Sequence, residues 1–214
     1  GGRRYATGMD LVGRRFDTGE PWRLTVANGR VAQSEPAEGA GADLPWLAPG
    51  LVDVQVNGFD GQEFSAADLD VERVAKIIRR HDAFGVASLC PTVTTNSDEV
   101  IAHAVGAIAE AAEQPELSRR IAGIPVAGPY ISPEDGPRGA HPLIHCRPPD
   151  WEEFQRWQDA AQGRIRILTL SPEYASAPQF IAQAVKSGVL VAIGHTQATS
   201  DQIKAAVDAG ARLS

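Results

Sequence analysis

The chain has 214 residues, 43% hydrophobic and 22% charged, enough apolar content to bury the core of an ordinary globular protein. A net charge of −7 and a pI near 5.2 give no footprint for nucleic acid or anionic membrane, so a small anionic ligand would need a local basic or backbone-amide site. No apolar run approaches the roughly 18 to 20 residues of a membrane span. The start Gly1-Gly2-Arg3-Arg4-Tyr5 lacks the apolar stretch of a signal peptide, and a cytoplasmic location is expected. Cys90 and Cys146 are the two cysteines; they make neither a metal-type pair nor a disulfide framework, and read as reduced thiols with Cys90 buried near a strand end.

The opening stretch, residues 11–31, has short alternating runs such as Trp22-Arg23-Leu24-Thr25-Val26 followed by Asn28-Gly29, a strong hairpin signal. It reads as a small β domain, with residues 32–43 as its polar linker. A buried parallel strand is then expected over 51–56 and a helix over 67–84, whose Leu69, Val74, Ile77, Ile78 and Phe84 share a face and which Gly85 ends. A second strand is expected over 86–90. Asn96 or Ser97 caps a helix striped by Val100, Ile101, Ala104, Val105 and Ile108, which Gln114-Pro115 breaks.

The third strand is expected over 121–126. Residues 128–149 are rich in Pro and Gly and too long for a plain connector, which points to a functional loop. Asp150 with Glu153 predicts a capped helix to about residue 161, followed by a fourth strand over 164–170. Pro178 opens the next helix and Gly188 closes it, a fifth strand covers 189–193, and a Thr199/Gln202 capping box starts a helix to residue 209. Arg212-Leu213-Ser214 begins a sixth strand. His81 and His103 fall on predicted helices and read as solvated or peripheral; His145 has no motif support.

Strand–helix alternation defines an α/β protein. Two architectures fit it, a doubly wound open sheet or part of an eight-stranded barrel. No Gly-x-Gly-x-x-Gly turn follows the first of these strands, so the dinucleotide-binding form loses support.

Three motifs sit at the ends of predicted strands: Pro49-Gly50-Leu51-Val52-Asp53-Val54-Gln55-Val56-Asn57-Gly58, Gly128-Pro129-Tyr130-Ile131-Ser132-Pro133 running on to Gly139-Ala140-His141, and Ile193-Gly194-His195-Thr196. Together they resemble the N-acetylglucosamine-6-phosphate deacetylase family of the amidohydrolase superfamily, from about residue 9 to the end of the chain. The resemblance implies a (β/α)8 TIM-type barrel, about half present, over residues 49–214, with a small N-terminal β-sandwich portion over 1–48. It implies hydrolysis of the acetamide of N-acetylglucosamine 6-phosphate, a divalent metal, zinc by resemblance, as cofactor, and a homodimer. His195 falls on a metal-binding histidine of the family, His141 and Ala140 on its sugar-contacting loop, and Gln55 and Asn57 on the deacetylase Gln-x-Asn at the barrel mouth.

One position departs from the pattern. The family has a histidine, an apolar residue and a metal-binding glutamate before Gly-Pro, whereas this chain reads Pro125-Val126-Ala127-Gly128-Pro129. A methyl group donates no electron pair to a metal, so Glu134 or Asp135 would have to reach back in its place. The family's second metal histidine and its general-base aspartate are expected beyond Ser214. The expectation is therefore that this chain neither holds stoichiometric zinc nor turns over at an enzyme-like rate. A non-catalytic sugar-phosphate binding protein, or an amidohydrolase for another N-acyl substrate, are the alternatives. A half barrel would also expose sheet edges and apolar faces, which favours a longer chain or an oligomer that covers them.

Overall fold

The computed structural model describes residues 8–39, 41 and 43–214. The N-terminal segment read above for targeting, and Ala40 and Ala42 of the expected linker, lie outside the described residues. Contacts divide the chain into two compact units, Gly1–Gly50 and Leu51–Ser214.

In the first unit, strands β1 (Met9–Arg15), β2 (Pro21–Ala27) and β3 (Arg30–Pro36) form an antiparallel meander, and β4 (Trp46–Leu47) adds to β1 in parallel. Asn28 and Gly29 take φ of 53° and 71°, the pair of positive values that a tight two-residue hairpin turn demands and that Asn-Gly adopts most readily. One expectation is corrected here. Residues 32–36 are not linker but the body of β3, paired from Ala27↔Arg30 to Trp22↔Pro36. Every residue of β3 is exposed; the strand is held by its backbone ladder and turn rather than by a buried face, so it leaves no alternation to read.

In the second unit the strand–helix repeat follows the pattern. Strand β5 (Leu51–Val56) is followed by a small hairpin of β6 (Gly58–Phe59) and β7 (Gln62–Glu63) and then α1 (Val71–Arg80). The helix starts later than the apolar pattern suggests because the Asp70 side chain accepts a hydrogen bond from the Arg73 amide and so caps it there. A 3-10 turn, His81–Phe84, carries the chain to Gly85 at φ 73°. That turn buries His81, 6% exposed, with Nδ1 donating to the Ile77 carbonyl at 2.9 Å and the ring against Phe59. His81 is thus a core residue, not the peripheral one its helix position suggested. His103 is exposed, with Nε2 2.8 Å from the Leu69 carbonyl.

Strand β8 (Val86–Pro91) and its short continuation β9 (Val93–Thr94) lead to α2 (Asp98–Ala112), capped by Ser97. Then come β10 (Ile124–Ala127), α3 (Trp151–Ala160) capped by Asp150, β11 (Ile165–Leu170), α4 (Ala177–Lys186), β12 (Leu190–Ile193) and α5 (Ser200–Ala209). The Thr199/Gln202 capping box before α5 is fully formed.

Strand order decides between the two architectures. Each parallel strand lies beside its predecessor: β5 with β8, β8 with the start of the next through Leu89↔Ile121, β9 with β10, then β11, β12 and finally Leu213. A doubly wound sheet reverses direction at a switch point, whereas a barrel winds one way. The unit is an arc of a singly wound barrel. The helices cover its outer face with Ile101, Ile108, Phe154, Trp157 and Phe180, each 3% exposed or less, worth about 1.5–3 kcal/mol apiece for the aliphatic and Phe side chains relative to leaving them in water. On the edge strand β5, Leu51, Val52 and Val54 are 60–62% exposed, as an open arc requires. No helix among the described residues is long and apolar enough to cross a membrane.

Candidate active site at the strand ends

Parallel barrels assemble their chemistry from the loops at the C-terminal ends of the strands, and the polar residues of this unit gather there. A cavity of about 370 Å³ opens at this end, with Gln55, Pro125, Ala127, Thr169 and His195 among its walls.

His195 follows β12 at φ 50°, a left-handed conformation that costs a non-glycine residue on the order of 1 kcal/mol. Neighbouring groups hold it there. Its carbonyl accepts from the Ser132 amide at 2.9 Å and its Nδ1 donates to the Pro137 carbonyl at 3.0 Å. Since a carbonyl can only accept, Nδ1 carries a proton, and Nε2 is the nitrogen that holds the lone pair in the neutral ring. The His141 ring stands edge-on to it, centroids 4.3 Å apart. Nδ1 of His141 lies 2.7 Å from the hydroxyl of buried Thr95. Burial, and then the neighbouring His195, lower the His141 pKa to about 4, so this imidazole is neutral at pH 7.

Gly128, at φ 80°, makes the approach of Thr95 possible: a Cβ there would fall 2.0 Å from the Thr95 hydroxyl oxygen. The long loop that presents His141 is clamped by two arginines. Arg138 donates to the carbonyls of Pro133 and His141 and pairs with Asp135. Arg147 donates to the carbonyls of Asn96 and His145 and pairs with the buried Glu153 at 2.9 Å. Tyr130, fully buried, donates to Glu153 at 2.7 Å and stacks on Trp157; burial, reinforced by Glu153, pushes its hydroxyl pKa well up.

A second carboxylate braces the mouth. Glu173, just past β11, accepts from the hydroxyls of Ser171, Ser132 and Thr196 and from the Gln197 amide. Burial raises its pKa, but these donors outweigh it and hold the carboxyl below the usual range.

Gln55, Ala127 and His195 share the cavity, and His141 joins them through His195. Asn57 and Ala140 are exposed and outside its walls; the Asn57 carbonyl accepts from the Phe64 amide. Pro125 and Ala127 both face the cavity where the family pattern carries polar side chains, and Ala127 is 5% exposed. Glu134 and Asp135 are exposed in the loop, outside the cavity walls, with Asp135 engaged by Arg138. Among the described residues no three His, Cys, Asp or Glu are placed to hold a metal ion, so this donor set does not fit one. Thr95 and Glu173 escaped the sequence reading, and Ser132 and Thr196, though part of the quoted motifs, were given no role there. Single polar residues in turns have no periodicity that would mark them.

A one-way parallel arc with its histidines at the strand ends is part of an amidohydrolase-type barrel. No family model matches the chain, but individual relatives do. N-acetylglucosamine-6-phosphate deacetylase of Bos taurus is 37% identical over 195 residues, 90% of this chain and 46% of that protein. N-acetylgalactosamine-6-phosphate deacetylase of Shewanella sp. (strain ANA-3) is 33% identical over 165 residues, 77% and 40%. The solved structure of a mutant N-acetyl-D-glucosamine-6-phosphate deacetylase from Mycobacterium smegmatis, in complex with N-acetyl-D-glucosamine-6-phosphate, superposes with a TM-score of 0.80 at 34% identity, over 96% of this chain and 54% of that one. The chain is thus similar in sequence and fold to N-acetylglucosamine-6-phosphate deacetylases, and it spans about half the length of the relatives it matches.

Proposed function

We propose that the strand-end mouth binds an N-acetylated hexosamine 6-phosphate, and that the chain does not hydrolyse it at an enzyme-like rate with its own residues. The substrate class follows the names of the relatives, among which deacetylases of both the glucosamine and the galactosamine epimer occur. In this reading His141, with Ala140 beside it, contacts the sugar, Gln55 lines the mouth with Asn57 at its rim, and His195 keeps the place of one nitrogen ligand to a divalent metal, zinc by resemblance, without the further ligands among the described residues that would hold the ion. A homodimer and a cytoplasmic location belong to the same reading.

Ala127 carries the second half of the proposal. Amide hydrolysis needs a group that activates water and one that protonates the leaving amine. At the end of β10, facing the cavity, the chain offers a methyl group. The carboxylate of Glu173 is engaged by four donors, and no carboxylate side chain stands among the cavity walls beside His195.

The test is calorimetric titration of the purified chain with N-acetylglucosamine 6-phosphate and its galactosamine epimer, alongside an amine-release assay with excess Zn²⁺. Saturable binding of either sugar phosphate with no release above the buffer rate is the expected result. Clear turnover overturns the second half of the proposal, and absence of binding by both epimers overturns the first.

A further inference from the structure

We infer that Glu173 is a positioning residue: it holds the left-handed His195 turn in place through Thr196 and Gln197 and ties that turn to the two preceding strand-end loops. The assignment rests on reading His195 as a functional side chain, but its evidence is separate. A residue other than glycine stays at φ 50° only where its surroundings over-determine it. Upstream, the Gly194 amide donates to the Leu170 carbonyl at 3.1 Å, and the His195 carbonyl itself accepts from Ser132. Downstream, both anchors converge on one oxygen, Oε2 of Glu173, which accepts from the Thr196 hydroxyl at 3.1 Å and the Gln197 amide at 3.0 Å.

The other oxygen, Oε1, accepts from the Ser132 hydroxyl at 3.2 Å, and the Ser171 hydroxyl completes the set. One carboxylate thus joins the loops after β10, β11 and β12. Among the described residues no arginine, lysine or histidine forms a salt bridge with it. Its donors are all neutral, which suits an orienting role: a carboxylate accepts along several directions at once, and the four donors here come from three separate turns of the chain. The carbonyl of Glu173 also accepts from Gln202 at 3.3 Å, linking the brace to the first turn of α5.

The experiment compares E173A, E173Q and T196V with the whole wild-type chain, isotopically labelled at histidine and in the backbone. Circular dichroism reports the fold, the nuclear Overhauser contact between the His141 and His195 rings reports the turn, and the Gln197 amide shift reports the anchor. E173A is expected to keep its helical spectrum, to lose the ring-to-ring contact and to shift the Gln197 amide. E173Q, which keeps an acceptor oxygen, is expected to recover most of the contact. A folded E173A with the contact and amide shift intact overturns the inference. Should E173A not fold, T196V decides: it removes one anchor with Glu173 in place, and a weakened contact supports the inference while an unchanged one overturns it. No ligand enters these readouts, so failure of the proposed binding would leave this assignment standing, and loss of this assignment would leave the binding assay valid.

Discussion

Two stretches of the strand-end mouth read alike as motifs and are built very differently. Around β10, β11 and β12 the loops are braced from behind by buried and half-buried side chains: Tyr130 and Arg147 on Glu153, Thr95 on His141, and three hydroxyls and an amide on Glu173. At β5 the motif residues Gln55 and Asn57 are exposed, and the strand carries apolar side chains into solvent. The contrast teaches that a site residue's geometry is set by the layer of contacts behind it. The histidines have that layer within this chain; the amides of β5 do not.

The sharpest way to break the comparison is to remove the braced side's foundation. Trp157 is fully buried, stacks on Tyr130 and donates from its indole N–H to Asp98 at 2.6 Å. W157A is expected to cost about 3–5 kcal/mol, read as a lower urea midpoint. A loss below about 1 kcal/mol would show that the loop is not anchored there. Next in size is G128A, which must hold a methyl group at φ 80° against the Thr95 hydroxyl. A loss of about 1–3 kcal/mol is expected from backbone strain, with more from the clash. The double variant G128A/T95A should recover the steric part and leave the strain, a coupling that only two residues in direct contact produce.

A pH series sharpens the same contrast with a smaller effect. The folded Glu173 carboxyl titrates below its ordinary value of 4.5, so the unfolded chain binds more protons at this group than the folded one as pH drops below that value. Its contribution to stability is present above pH 4.5 and is lost as pH falls through the folded pKa. Chemical denaturation of wild type and E173Q should therefore give midpoints that differ most near neutrality and converge at low pH. A constant difference across the series would show that the carboxylate is not held by its donors.

Legibility in the sequence divides along the same line. Elements that bury a face were readable, since burial imposes a period: β8, β11 and β12 as apolar runs and α2 as a stripe; β5 was readable as an apolar run although only Val56 of it is buried, and the Asn28-Gly29 turn and Thr199/Gln202 cap from side-chain chemistry. Strand β3, exposed throughout, was not, and neither was the 3-10 turn that takes His81 into the core and leaves Phe84 exposed. At the site, the Gly-His and Gly-Ala-His segments pointed to His195 and His141, which the structure sets edge to edge from positions more than fifty residues apart. The residues that hold them, Thr95, Ser132, Glu173 and Thr196, meet only through the barrel's winding, and no local pattern announces that.

The smallest effect tests the bare side. Val54 and Val56 lie two residues apart on β5, yet Val54 is 62% exposed and Val56 5%. Truncation to alanine removes the same two methyl groups from each. At Val56 the loss of buried apolar surface is expected to cost about 1.5–2 kcal/mol, whereas V54A should stay within about 0.5 kcal/mol of wild type because its side chain gains little from folding. The two urea midpoints, measured at several protein concentrations, check this directly. A V54A loss equal to that of V56A, growing with concentration, would mean that the β5 face is covered in solution by another copy of the chain, and the bare side of the mouth would then be braced from outside as the histidine side is from within.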